Sequence, residues 1–238
     1  MKLKRILIKF SGEQLAGKHG FGVDIDVIDY LAEELKPVLA AGCQVAIVAG
    51  GGNIVRGASL AGHGIRRVTA DQLGMLSGLM NSMAITDIFE SHGIPMRCLS
   101  NIFVDQVAES YNFRRANNHL NHSRLIMIAG GIARPYFTHD TAAVSLALEL
   151  GCDVMLKSTM VDGVYDKDPK KHEGATKIDH MSFQEAVENQ DVQVMDKAAL
   201  GLAMEQNMPV VVFDMMQPGN LLKLVNGKAL GTRIDANA

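Results

Sequence analysis

Two lysines stand where apolar runs end. Ile6-Leu7-Ile8-Lys9-Phe10 leads into Ser11-Gly12, and Val154-Met155-Leu156-Lys157 leads into Ser158-Thr159. An ammonium fixed by a buried strand, next to a turn that exposes backbone N–H groups, suits an anion and phosphate above all. Such a charge is seldom buried without a partner, although a solvated strand end would also accommodate Lys9. A third run, Gln44 to Ala49, ends in Gly50-Gly51-Gly52-Asn53, followed by Arg56-Gly57. Three consecutive glycines cost backbone entropy. They suit either a tight turn or the close approach of backbone to a phosphate, with Arg56 able to add a bidentate contact. The fourth feature follows Gly130-Gly131: Arg134, then Pro135-Tyr136-Phe137-Thr138-His139-Asp140-Thr141. Asp140 opens a helix there, either as its N-cap or as the carboxylate that orients lysines from neighbouring strand ends. Phosphoryl transfer needs positioning and charge neutralisation more than covalent work by the protein. Two fixed lysines and backbone N–H groups can supply both. A phosphate acceptor is already anionic and needs no general base.

Other motifs carry less. Gly12-Glu13-Gln14-Leu15-Ala16-Gly17-Lys18 matches G-x-x-x-x-G-K, but His19 stands where a magnesium-binding Ser or Thr should follow. Gly17 to Gly22 also reads as a loop where that motif should open a helix. A genuine phosphate loop would make Lys18→Ala abolish activity and leave Lys9→Ala mild. Asp162-Gly163 marks a turn, and Tyr165 is available to stack on a base. Asp162, Asp166 and Asp168 lack EF-hand spacing and its distal Glu, and read as turn and surface acids. Cys43, Cys98 and Cys152 lie far apart without a C-x-x-C pair, as buried thiols of a reducing compartment do.

These residues need elements to hold them. Apolar runs at Ile6–Phe10, Gln44–Ala49, Met96–Leu99, Arg124–Ala129, Asp153–Leu156 and Val210–Phe213 read as strands. Between them lie helical patterns. Val27, Leu31, Leu35 and Val38 repeat at helical spacing, with Asp24 as N-cap and Gly42 as terminator. Others cover Ala70–Ser91, Thr141–Leu150, Ser182–Glu188, Lys197–Gln206 and Gly219–Val225, and Asp166–Asp179 reads as a polar surface excursion. Fully apolar strands alternating with helices predict an α/β fold with a mostly parallel sheet covered on both faces. Ligands of such sheets bind at the strands' carboxyl ends.

The 238 residues, 47% hydrophobic and 21% charged, with net charge −3, predict one globular domain over 1–238 with no general affinity for nucleic acid or membrane. The N-terminal apolar run is too short for a signal peptide, and no run approaches the roughly 18 residues of a membrane span, which predicts a cytoplasmic protein. Methionines around Met75, Met80 and Met83, and at Met215-Met216, read as core or subunit-contact filler.

With these residues assembled, the chain resembles the bacterial UMP kinases of the amino acid kinase superfamily over almost its whole length. The resemblance rests on Lys9-Phe10-Ser11-Gly12-Glu13, Gly20-Phe21-Gly22-Val23-Asp24, Gly50 to Asn53 with Arg56-Gly57, Asp71 through Asn81, Tyr136 to Asp140, Lys157 through Pro169, Val194-Met195-Asp196, Pro209 through Pro218 and Gly231-Thr232. It implies a three-layer αβα sandwich, and transfer of the ATP γ-phosphoryl group to UMP with magnesium, giving UDP in pyrimidine nucleotide biosynthesis. ATP would contact Lys9, Phe10, Ser11, Gly12, Gly52, Arg56, Thr159, Tyr165 and Asp168. UMP would contact Gly51, Asp71 and the loop Ile132, Ala133, Arg134, Pro135, Tyr136, Phe137, Thr138 and His139. Lys9, Asp140 and Lys157 would be catalytic, with Asp196 helping to hold magnesium. The family is typically a homohexamer activated by GTP and inhibited by UTP, with the GTP region falling on Gly17, Lys18, His19, Gly20, Phe21 and Gly22. The loop departs from the family's Gly-Thr-Gly-Asn-Pro and Thr-Thr-Asp: here it reads Gly131-Ile132-Ala133-Arg134-Pro135, with His139 in place of the second Thr. Ala70 stands where a Gly usually precedes Asp71. A carboxylate or carbamate kinase and a nucleotide sensor without catalysis are the competing readings.

Overall fold

A computed structural model describes residues 2–61, 64–167, 171–189 and 194–236, with the side chains of 58 and 61 left out. Its centre is a nine-stranded sheet in the order β4 (Glu109–Ser110), β3 (Met96–Ser100), β5 (Leu125–Ala129), β2 (Gln44–Ala49), β1 (Arg5–Phe10), β6 (Val154–Thr159), β10 (Val210–Asp214), β11 (Thr232–Asp235) and β9 (His180–Ser182). Every pairing in it is parallel except β10 with β11. The remaining strands, β7 (Val164–Tyr165) and β8 (Lys177–Ile178), form a separate antiparallel hairpin. The polar stretch after Tyr165 is therefore the connection of that hairpin, with Asp168 outside the described residues.

Strand alternation divides the core into two halves. On one face Leu7, Val48, Ile128, Met155 and Val212 pack against α5 (Phe113–Asn121), α6 (His139–Glu149), α7 (Phe183–Glu188) and α8 (Lys197–Glu205). On the other, Ile6, Ile8, Val45, Ile47 and Leu156 meet α2 (Ile25–Ala40), α4 (Arg67–Ser91) and α9 (Asn220–Val225). Helix α2 shows how the sequence builds a layer. The Asp24 side chain caps it by accepting from Asp26 N, and Ile28, Leu31, Leu35 and Val38 bury one stripe completely. Full burial of such side chains is worth roughly 1.5–3 kcal/mol each.

Two short helices, α1 (Gly12–Leu15) and α3 (Gly57–Ala61), follow the first two strands, α3 only after the turn at 50–56. The strand and helix expectations hold to within a few residues, but α1, α3, α5 and the strands β4, β7, β8, β9 and β11 were not expected. Met75 and Met215 are buried as core filler, whereas Met80 and Met83 are exposed on α4, as the subunit-contact alternative requires. One other expectation is overturned, the reading of Asp140 as an N-cap. Thr138, not Asp140, is the N-cap of α6: its side chain accepts from Asp140 N and Thr141 N, which places Asp140 inside the first turn.

Candidate active site

Chain order along the sheet reverses at β1, with β2 on one side of it and β6 on the other. This is a topological switch point, where a crevice opens outside the carboxyl ends of the strands. Parallel pairing brings the ends of β5, β2, β1 and β6 to one edge, and so gathers the four features of the sequence.

Lys9 and Lys157 are direct partners in the β1–β6 register. Each lies two residues beyond an apolar residue, Leu7 or Met155, that faces the α6 layer, so alternation points both ammonium groups toward α6. Asp140 meets them there. Lys157 Nζ donates to Asp140 Oδ2 at 2.6 Å and to Val194 O at 2.6 Å. Lys9 Nζ lies 2.9 Å from Asp140 Oδ1, an ion contact without an aligned hydrogen bond. All three side chains are only 12–14% exposed. Burial alone would raise the Asp140 carboxyl, but Lys9 and then Lys157 outweigh it and hold it down to about 2. Burial, with Lys9 beside it, lowers the Lys157 pKa against the upward pull of Asp140. The group therefore carries two cations and one anion, a net positive seat in a largely dry crevice.

The turn after β2 is held by side chains that sequence reasoning missed. Asn81, fully buried on α4, donates to Gly50 O at 2.7 Å, and its amide pairs reciprocally with that of Asn53 at 2.7 and 3.0 Å. Asn53 Nδ2 also donates to Gly22 O at 2.6 Å. Gly51 allows the close approach: a Cβ there would lie 2.5 Å from Gly78 N and 2.6 Å from Gly74 O. Gly12 likewise packs on Gly52 N, which a Cβ would approach to 2.6 Å. Buried Gln14 accepts from Ser158 Oγ at 2.9 Å and so ties α1 to β6.

Around this centre lie the other expected residues. Phe10 is fully buried, and Ser11 caps α1. Arg56 is exposed and forms an ion pair with Glu13. Thr159 Oγ1 donates to Val161 O at 2.7 Å, and Tyr165 donates to Asp162 Oδ1 at 2.7 Å. Asp71 binds the 132–139 loop to α4: Oδ2 accepts from Tyr136 N at 2.8 Å and Oδ1 from Arg67 Nε at 2.8 Å, with the Arg67 guanidinium 5.4 Å from the Tyr136 ring centre. Ala133 and Tyr136 both hold left-handed backbone, φ 53° and 70°. A cavity of about 650 Å³ lies away from these strand ends, bordered by Leu3, Asp153 and Lys228. A second, of about 610 Å³, adjoins the loop and is lined by Gln72, Met75, Phe103, Ile132, Ala133 and Arg134 among others.

The G-x-x-x-x-G-K match is no phosphate loop here. Its helix is α1, one turn long, and Lys18 points to exposed Asp26 at 3.3 Å. Gly17–His19 forms a single 3-10 turn, and Phe21 is exposed. Asp196 caps α8 by accepting from Ala199 N at 3.0 Å, and also accepts from Thr138 Oγ1 at 2.5 Å and Thr141 Oγ1 at 2.9 Å. Among the described residues no three His, Cys, Asp or Glu side chains converge as a metal cage. Magnesium tolerates this, because it keeps waters and binds through substrate phosphates with few carboxylates.

Two lysines converging on one carboxylate at a sheet switch point are the charge arrangement that a phosphotransferase needs. The sequence pattern of the amino acid kinase family matches residues 4–214, and the chain belongs to that family. Its relatives there are uridylate kinases. That of Sulfurovum sp. (strain NBC37-1) is 44% identical over 94% of this chain and 95% of its own. The crystal structure of UMP kinase from Bacillus anthracis, 35% identical, covers 100% of this chain and 98% of its own with a TM-score of 0.95. UMP kinase from Ureaplasma parvum, 30% identical, covers 99% and 100% with a TM-score of 0.90.

Proposed function

We propose that the protein transfers the γ-phosphoryl group of ATP to UMP, giving UDP. The observation that carries this reading is the paired register of Lys9 and Lys157 with Asp140 bridging them. Two cations held by the sheet and locked by one carboxylate match a transition state whose charge is spread over the equatorial oxygens of the transferring group. Lys9 and Lys157 neutralise that charge. Asp140 orients them and acts through them, so no proton has to leave the acceptor. ATP lies over the ends of β1 and β6, with Arg56 exchanging Glu13 for a phosphate, and with Gly12, Gly52, Thr159 and Tyr165 along it. UMP lies between Gly51, Asp71 and the 132–139 loop. Asp196 is the carboxylate we assign to the shell of a magnesium bound with the triphosphate, which would supply further charge neutralisation. The exposed stripe of Leu76, Met80 and Met83 on α4 supports assembly with further copies, for which we carry the homohexamer of the family.

A coupled assay of ADP release with ATP, magnesium and either UMP or CMP tests the reading beside Lys9→Ala. Turnover with UMP, reduced about 10²–10³-fold in Lys9→Ala, is expected. Intact ATP binding without turnover of UMP would overturn it in favour of another acceptor or of a nucleotide sensor.

A further inference from the structure

Asn53 and Asn81 are buried polar residues to which the transfer reaction assigns no task. Their two amides use every N–H they have. Asn81 Nδ2 donates to Gly50 O at 2.7 Å and to Asn53 Oδ1 at 2.7 Å, while Asn53 Nδ2 donates to Asn81 Oδ1 at 3.0 Å and to Gly22 O at 2.6 Å. An amide side chain carries two donors, so all four are engaged. A buried network satisfied in this way specifies one arrangement. Turning either amide over would set an oxygen against the carbonyl of Gly50 or Gly22. The helix that carries Asn81 is itself closely held: a Cβ on Gly78 of α4 would come within 3.0 Å of Ala49 O and 2.7 Å of His139 Nε2.

What the pair fixes is the direction of peptide groups. In a planar trans peptide the C=O and the N–H that follows it point opposite ways. With Gly50 O drawn to Asn81, Gly51 N–H is turned to the side away from Asn81. Gly51 O in turn accepts from Ile54 N and Val55 N, each at 3.0 Å, which turns Gly52 N–H out of the bend. Among the described residues none accepts from the N–H groups of Gly51, Gly52 or Asn53. Backbone donors left over in this way are rare, and a succession of them at a strand end suits an anion. Glycine backbone is also the least restrained of all, so the direction of these groups has to be imposed from outside the turn. We propose that Asn81, locked by Asn53, is a positioning residue of the phosphoryl transfer: by holding Gly50 O it aims the N–H groups of Gly51 and Gly52 at the phosphates. This rests on the UMP kinase reading and adds what keeps the glycine turn aligned before the nucleotides arrive. Asn53 extends the hold to the donor side, since a Cβ on Gly12 would lie 2.6 Å from its Oδ1.

The test is steady-state kinetics with UMP and ATP for the wild type, Asn81→Ala and Asn53→Ala, at a temperature where circular dichroism shows all three folded. Asn81→Ala should lower kcat about 10²-fold, as misplaced donors do, and change the KM for ATP by less than about threefold. Asn53→Ala leaves the bond from Asn81 to Gly50 O in place and should lose less of kcat. A lower Tm with the kcat of the folded variants unchanged would reduce the pair to a structural tie and overturn the inference while leaving the kinase reading intact. A greater loss of kcat in Asn53→Ala than in Asn81→Ala would overturn it as well, because the bond to Gly50 O would then not be what aims the turn. A wild type that does not phosphorylate UMP would overturn both. If Asn81→Ala fails to fold, the wild-type amide resonances of Gly51 and Gly52 decide. Saturation with UMP and a non-hydrolysable ATP analogue should move both downfield, as charge-assisted donation to phosphate does, and unmoved resonances overturn the proposal.

Discussion

Asp140 binds the site together because each of its oxygens faces a different ammonium. Replacing it by Asn removes the only anion of the group and leaves Lys9 and Lys157 close together and nearly buried. Breaking a buried ion pair from one side costs roughly 3–5 kcal/mol. Asp140→Asn should therefore lose activity and also lower Tm by at least about 6–12 °C, at about 2–4 °C per kcal/mol for a chain of this size. Differential scanning calorimetry beside the coupled assay checks both, and an unchanged Tm would show that the lysines tolerate each other. At this scale much of the site was legible. Lys9 and Lys157 stood out because a charge ending an apolar run is unusual. Gln14, Asn53 and Asn81 did not, because a polar side chain in a helix or turn shows its use only when its partner arrives from another segment: Ser158, Gly22 and Gly50.

The elements that hold the site differ in how openly the sequence shows them. Strands β1, β2, β5, β6 and β10 are buried on both faces and read as continuous apolar runs. Strands β4, β7, β8, β9 and β11 have two to four residues each, and neighbours rather than local pattern make them strands. Helix α5 was missed because Phe113–Asn121 carries a polar face of Arg and Asn and commits only Ala116, His119 and Leu120 to the interior. The loop between β5 and α6 is strained at two residues, Ala133 and Tyr136. Ala133 takes φ 53°, a conformation that costs a non-glycine residue roughly 1–2 kcal/mol. Ala133→Gly should raise stability by about 0.5–1 kcal/mol, less than the full strain because glycine also loosens the unfolded chain. Urea unfolding of the two proteins gives the sign directly, and a lower midpoint for the glycine variant would mean that the Ala133 methyl packs better than its backbone suggests.

For the whole molecule, two buried groups contribute to stability in a pH-dependent way on the acid side. His139 titrates near 6.5 in the unfolded chain and near 4 in the folded one, and Asp140 near 3.8 and near 2. In both cases the unfolded chain binds the proton more readily, so stability rises with pH. The His139 contribution is complete above about pH 6.5 and is lost as pH falls toward 4; the Asp140 contribution is complete above about pH 4 and is lost toward 2. The first is worth on the order of 3 kcal/mol and the second on the order of 2 kcal/mol. Urea midpoints should thus fall in two stages on acidification, and His139→Gln should remove the upper stage alone. A single fall below pH 4 in both proteins would refute this assignment. The fold class was legible from the succession of apolar strands and helices, but the sheet order was not, since nothing local says that β1 pairs with β6. That pairing also has a kinetic side. Lys9 and Lys157 are about 150 residues apart in the chain, and contacts so distant form late because loop closure must come first. A growing or refolding chain therefore holds half of its phosphate seat without the other half. Regain of catalysis should follow regain of helical signal, because the chemistry is completed by one of the longest-range pairings in the sheet.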